Sequence, residues 1–152
     1  MRRGVDTNVL LTAHVPVLAA HGEVRTFLQR QLADPDVTLA VTPIVMHELV
    51  HIITDPRRFD PSASMSEAIA LARRYLGRTN VECLPVDVDS LDLALALLDH
   101  HRLGRKRIAD ALLAATLLTH GVSERITCNP GDFVVFEGLR VTDPPAGAPP
   151  KA

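Results

Sequence analysis

The chain has 152 residues, 47% of them apolar and 22% charged, an ordinary globular composition that makes one domain the default and excludes a wholly disordered chain. Aromatics are only 3%, with no Trp, one Tyr and four Phe, too few for a nucleic-acid reader built on stacked aromatic platforms. A formal net charge of -2 supplies no whole-molecule basic field, so any phosphate binding has to be local or carried by a metal ion.

Taken in chain order, the pattern alternates between strand and helix. Gly4 to Asp6 reads as the end of a short strand and Asn8 to His14 as a helix. Glu23 to Leu32 carries Val24, Phe27, Leu28 and Leu32 at helical spacing. Val37 to Val41 is a strand bounded by Asp34-Pro35-Asp36 and Thr42-Pro43, and Pro43 opens a helix that runs over Ile44 to Thr54 until Asp55-Pro56. Ser66 to Leu76 is helical with Gly77 as its stop signal, and Val81 to Pro85 is a third strand. Ser90 to His101 and Ile108 to His120 are helices, the second ending at Gly121 and apolar around most of its circumference, as a helix buried on a sheet would be. Arg125 to Cys128 is a fourth strand. Val134 to Phe136 or Leu139 to Val141 supplies a last short one.

This alternation predicts a three-layer α/β/α fold around a short, mainly parallel sheet of four or five strands. Residues 1–143 form the folded unit. The stretch 144–152, with four prolines in nine residues, reads as an extended tail. Cys83 and Cys128 stand in no metal-binding spacing and read as two buried, reduced thiols. The N-terminus carries no apolar signal segment and no apolar run is long enough to span a bilayer, so the expected setting is cytoplasmic.

In open parallel sheets the ligand site lies beyond the carboxyl ends of the strands. Asp6 follows the first strand, Glu48 lies in the helix after the second, and Asp110 is in the first turn of the apolar helix. Asn129 and Asp132 follow the fourth strand. Each has an ordinary reading as a turn residue, an N-cap or a complement to the helix dipole. Asp110 and Glu48 fit it less well, because their surroundings are apolar. Four segments nonetheless bring an acid or amide to one edge.

These segments resemble the PIN-domain family. Val5-Asp6-Thr7-Asn8-Val9-Leu10 is similar to its opening, Thr42 to Leu49 to the segment carrying its Glu, and Ile108 to Thr116 to the segment carrying its second Asp. Ile126-Thr127-Cys128-Asn129-Pro130-Gly131-Asp132-Phe133 is similar to its T-x-N-x-x-D-F closing segment. Within the family the chain looks most like the VapC-type toxins of bacterial type II toxin–antitoxin pairs. The resemblance implies a Mg²⁺- or Mn²⁺-dependent endoribonuclease with Asp6, Glu48 and Asp110 as metal ligands. Asn129 stands where many relatives carry a fourth Asp, which puts a second ion in doubt, and Asp132 serves as a further catalytic acid that partly replaces it. Thr7, Asn8 and Thr127 become groups that orient carboxylates or water. The chemistry agrees: clustered carboxylates with no nearby Lys repel one another unless a hard cation neutralises them. The resemblance also implies an RNA substrate, a homodimer and a small VapB-like antitoxin that lays a segment into the active-site groove.

Two further features bear on function. His47-Glu48-Leu49-Val50-His51 matches the H-E-x-x-H pattern of zinc peptidases, but the metzincin continuation fails at Thr54 and Arg57, and the pattern leaves Asp6 and Asp110 unexplained. A PIN-like module that binds RNA or protein without cutting is the other alternative. Arg102, Arg105, Lys106 and Arg107 cluster just before Asp110, and arginine suits phosphate, so this run is the candidate RNA grip.

Overall fold

A computed structural model describes residues 1–144. Five strands form one sheet: β1 (Arg2–Val5), β2 (Thr38–Val41), β3 (Val81–Cys83), β4 (Glu124–Ile126) and β5 (Arg140–Thr142), in the order β3-β2-β1-β4-β5. Every pairing is parallel. Six helices connect them: α1 (Thr7–His14), α2 (His21–Ala33), α3 (Pro43–Ile53), α4 (Met65–Leu76), α5 (Val88–His100) and α6 (Ile108–Thr119). Strand order steps from β1 through β2 to β3, then jumps back to β4 on the far side of β1. Right-handed crossovers therefore put α1 to α4 on one face and α5 with α6 on the other, giving the three expected layers.

The helix starts are chemically specified. Thr42 caps α3, its Oγ1 accepting from Val45 N–H at 3.3 Å, with Pro43 in the first turn. Ser64 and Glu67 form a reciprocal capping box, so α4 begins one residue before the expected Ser66. Asp87 caps α5 through Ser90, which moves that start to Val88. Gly121, at φ +71°, ends α6 in the left-handed conformation. The core holds Val5, Val9, Leu10, Leu39, Leu49, Leu117 and Ile126, all at most 1% exposed.

Other expectations are corrected as well, and the third strand stops at Cys83 and not at Pro85. Val134 to Phe136 is not a strand. It is part of a turn that places Phe133 and Phe136 in the core, and Arg140–Thr142 supplies the last strand. The fourth strand is Glu124–Ile126 rather than Arg125 to Cys128, because Thr127 and Asn129 already form side-chain-anchored turn contacts. The thiols are not both buried: Cys83 is exposed on the edge strand and Cys128 is half-buried, and both are free. Of the Pro-rich tail, residues 145–152 lie outside the described residues. No helix among the described residues is long and apolar enough to cross a membrane.

Candidate active site

The strand order reverses between β1 and β4, and chains leaving a parallel sheet in opposite directions at such a point open a crevice beyond the strand ends. Val5 pairs with Ile126 there, which sets Asp6 beside Thr127. A cleft of about 280 Å³ opens at this point and is lined by Asp6, Glu48, Asp110, Asn129 and Asp132, among others. Four chain segments thus bring their acid or amide to one place. Among the described residues, no three His, Cys, Asp or Glu side chains already stand close enough together to share an ion.

Each carboxylate is held by one of its oxygens. Thr127 Oγ1 donates to Asp6 Oδ2 at 2.8 Å, and Thr7 Oγ1 donates to Glu48 Oε2 at 2.6 Å. Asn8 ties the two edges of the crevice together. Its Nδ2 donates to Thr127 Oγ1 at 3.1 Å and its Oδ1 accepts from Cys128 N–H at 3.0 Å. Because Asn8 donates to the Thr127 hydroxyl, that hydroxyl's own proton is left for Asp6. Asp110 Oδ2 accepts from Arg107 Nε at 3.1 Å, and Arg107 Nη1 lies 3.6 Å from Asp132 Oδ1.

The sequence reading missed Arg125. This residue is 0% exposed, and its Nη2 lies 2.7 Å from Asp6 Oδ2. Its Cζ is 3.1 Å from the centroid of the Phe133 ring. Burial disfavours its charge, while Asp6 and Asp110 favour it. The expectation of carboxylates with no nearby Lys is therefore incomplete as a charge balance: two guanidiniums pair with them. A signal was available. An arginine opening an expected strand of a parallel sheet, whose strands are buried on both faces, needs a partner for its charge.

Burial pushes the Asp110 carboxyl above the usual range, assisted by Asp6 and Asp132 and opposed by Arg125 and Arg107. The donor set fits a hard divalent cation. All the donors are oxygens, and Asp6 Oδ1, Glu48 Oε1, Asp110 Oδ1 and Asp132 Oδ2 accept no hydrogen bond among the described residues.

The remaining candidates sit elsewhere. Arg107 pairs with the cleft carboxylates Asp110 and Asp132, whereas Arg102, Arg105 and Lys106 are exposed. His47 and His51 stack on the exposed face of α3, ring centroids 6.5 Å apart, while Glu48 of the same helix lines the cleft. The H-E-x-x-H residues are thereby split between two surfaces. Arg58 also borders the cleft and sits 3.9 Å from Asp55.

The chain is thus a three-layer α/β protein with a carboxylate-lined crevice at its switch point, where open parallel sheets place their ligand sites. The chain belongs to the PIN domain family, which matches residues 5–134. Ribonuclease VapC24 of Mycobacterium tuberculosis is 31% identical over 140 residues, covering 92% of this chain and 94% of that protein. Ribonuclease VapC48 of the same organism is 24% identical over 147 residues, covering 97% and 100%. Among solved structures, VapBC2 from Rickettsia felis bound to a promoter DNA fragment superposes with a TM-score of 0.67 at 17% identity, covering 94% of this chain and 98% of that one. The sarcin–ricin loop cleaving toxin VapC20 of Mycobacterium tuberculosis superposes with 0.64 at 21% identity, covering 81% and 86%. At these identities the two structures speak for the fold.

Proposed function

We propose that the chain is a Mg²⁺- or Mn²⁺-dependent endoribonuclease and the toxin of a VapBC-type pair. One observation carries the reading: acids from four separate segments converge at the switch point, each keeping an oxygen free of hydrogen bonds. Asp6, Glu48 and Asp110 would hold the ion, and Asn129 would add a neutral oxygen. When bound, the ion supplies activated water at neutral pH and stabilises charge on the scissile phosphate.

The chain's own groups do the rest. Thr127 and Thr7 fix the carboxylate rotamers, and Asn8 fixes Thr127. Asp132, with its side chain about half exposed, accepts the proton of the attacking water as the new P–O bond forms and the P–O bond to the leaving ribose oxygen breaks, that oxygen taking its proton from solvent. Arg102, Arg105 and Lys106 grip backbone phosphates beside the cleft. The names of the relatives support RNA as substrate, and the toxin–antitoxin complexes among its structural neighbours support a small antitoxin partner. A homodimer in the cytoplasm completes the reading.

The test is incubation of purified protein with total bacterial RNA, with and without Mg²⁺ or Mn²⁺, beside an Asp6→Asn/Asp110→Asn variant. Discrete metal-dependent cuts that vanish in the variant are expected. Equal cutting by the variant, or binding of RNA without cutting in either metal, would overturn the reading.

A further inference from the structure

We propose that Arg125 and Arg107 are permanent counter-cations of the carboxylate cluster, standing in place of a second metal ion, so that the site takes up a single divalent ion. The inference rests on the metal-nuclease reading and deepens it.

The charges are countable. Asp6, Glu48, Asp110 and Asp132 bring four negative charges to the cleft, and Arg125 and Arg107 bring two positive ones within ion-pair distance of three of those acids. With Arg58, which also borders the cleft, engaged by Asp55 at 3.9 Å, the remainder is two negative charges, which one divalent cation neutralises. Asn129 lines the same cleft and adds an oxygen without a charge.

Neither arginine is an incidental surface group. Arg125 has no exposed surface, and its Nε, Nη1 and Nη2 make no hydrogen bond of good geometry among the described residues, so its 2.7 Å approach to Asp6 is an ion pair off the N–H axis. A buried guanidinium in that state is tolerated only where fixed negative charge faces it. Arg107 spans Asp110 and Asp132 at 3.1 and 3.6 Å, so positive charge already stands between these two acids, and its Nη2 is buried without a hydrogen-bond partner. Both guanidiniums lie against Phe133, at 3.1 Å for Arg125 and 5.9 Å for Arg107. A weakly hydrated planar cation suits such an aromatic wall, and a hydrated metal ion does not. Arg125 is thus a positioning residue for Asp6, and Arg107 ties Asp110 to Asp132.

The experiment measures Mn²⁺ binding by calorimetry on the folded, metal-stripped full chain, with cleavage measured in parallel. Wild type is expected to bind a single Mn²⁺. Arg107→Gln, a change at a partly exposed group, is expected to bind a second Mn²⁺ or to bind the first about tenfold more tightly, because one opposing charge is gone. Arg125→Met is expected to do the same if it folds. Arg125→Lys, which keeps the charge, is expected to keep the single-ion stoichiometry. A purely structural role for the arginines would lower stability without moving stoichiometry or affinity. Two ions in an active wild type, or wild-type binding in Arg107→Gln, would overturn the proposal while leaving the nuclease reading intact. No Mn²⁺ uptake and no cleavage by wild type would sink both.

Discussion

Asp6 occupies the N-cap position of α1 and its side chain caps nothing: the carboxylate is turned away to Thr127 and Arg125. That diversion leaves helix N–H groups of α1 without the usual acceptor, a local cost set against the geometry of the site. Thr127→Val removes the hydroxyl that orients Asp6 while keeping the volume, and cleavage is expected to fall about 10- to 100-fold in a metal-dependence assay. Asp110 carries a sign that can be checked. Its folded pKa is raised, so the stability it contributes is complete below the ordinary carboxylate range and is lost as pH rises through the raised value. At neutral pH the ionised group therefore strains the metal-free fold. Asp110→Asn is expected to abolish cleavage and to raise the Tm of the metal-free protein near pH 7, with the gain vanishing below about pH 4.

Elements are placed by local chemistry that was mostly readable. Thr42-Pro43 opens α3, and Gly121 closes α6, as expected from the residues themselves. Ser64-Met65-Ser66-Glu67 was equally readable as a capping box. β1 depends on something less local. Gly4 faces α6, and a methyl group there would overlap the fully buried side chain of Leu117. Leu117 has no room to yield, so Gly4→Ala is expected to cost about 1–3 kcal/mol in urea unfolding. The same substitution moves Asp6, two residues on, and should lower cleavage along with stability.

For the whole molecule, charge is local and not global. A net charge of -2 gives no long-range pull on a polyanion, so under the proposed function RNA affinity would have to come from a few local cations. With phosphate contacts from Arg102, Arg105 and Lys106, the log of RNA affinity against log salt is expected to fall with a slope of about -2. Removing two of the three cations in Arg105→Gln/Lys106→Gln should flatten it to about -0.7. A slope unchanged in the double variant would place the RNA elsewhere on the surface.

Periodicity and punctuation in the sequence determined the alternation of strands and helices, hence the parallel sheet and the edge where Asp6, Glu48, Asp110 and Asn129 were to be sought. These are local properties, written in spacings of a few residues. Only the tertiary structure decided that Arg125 is wholly buried against Asp6 and Phe133, that Arg107 pairs with Asp110 and Asp132 while Arg105 and Lys106 stay exposed, and that His47 and His51 leave Glu48 behind on another surface. Those outcomes depend on which strands become neighbours. Val5 and Ile126 are distant in sequence, and their pairing alone brings an acid and an arginine within reach of each other.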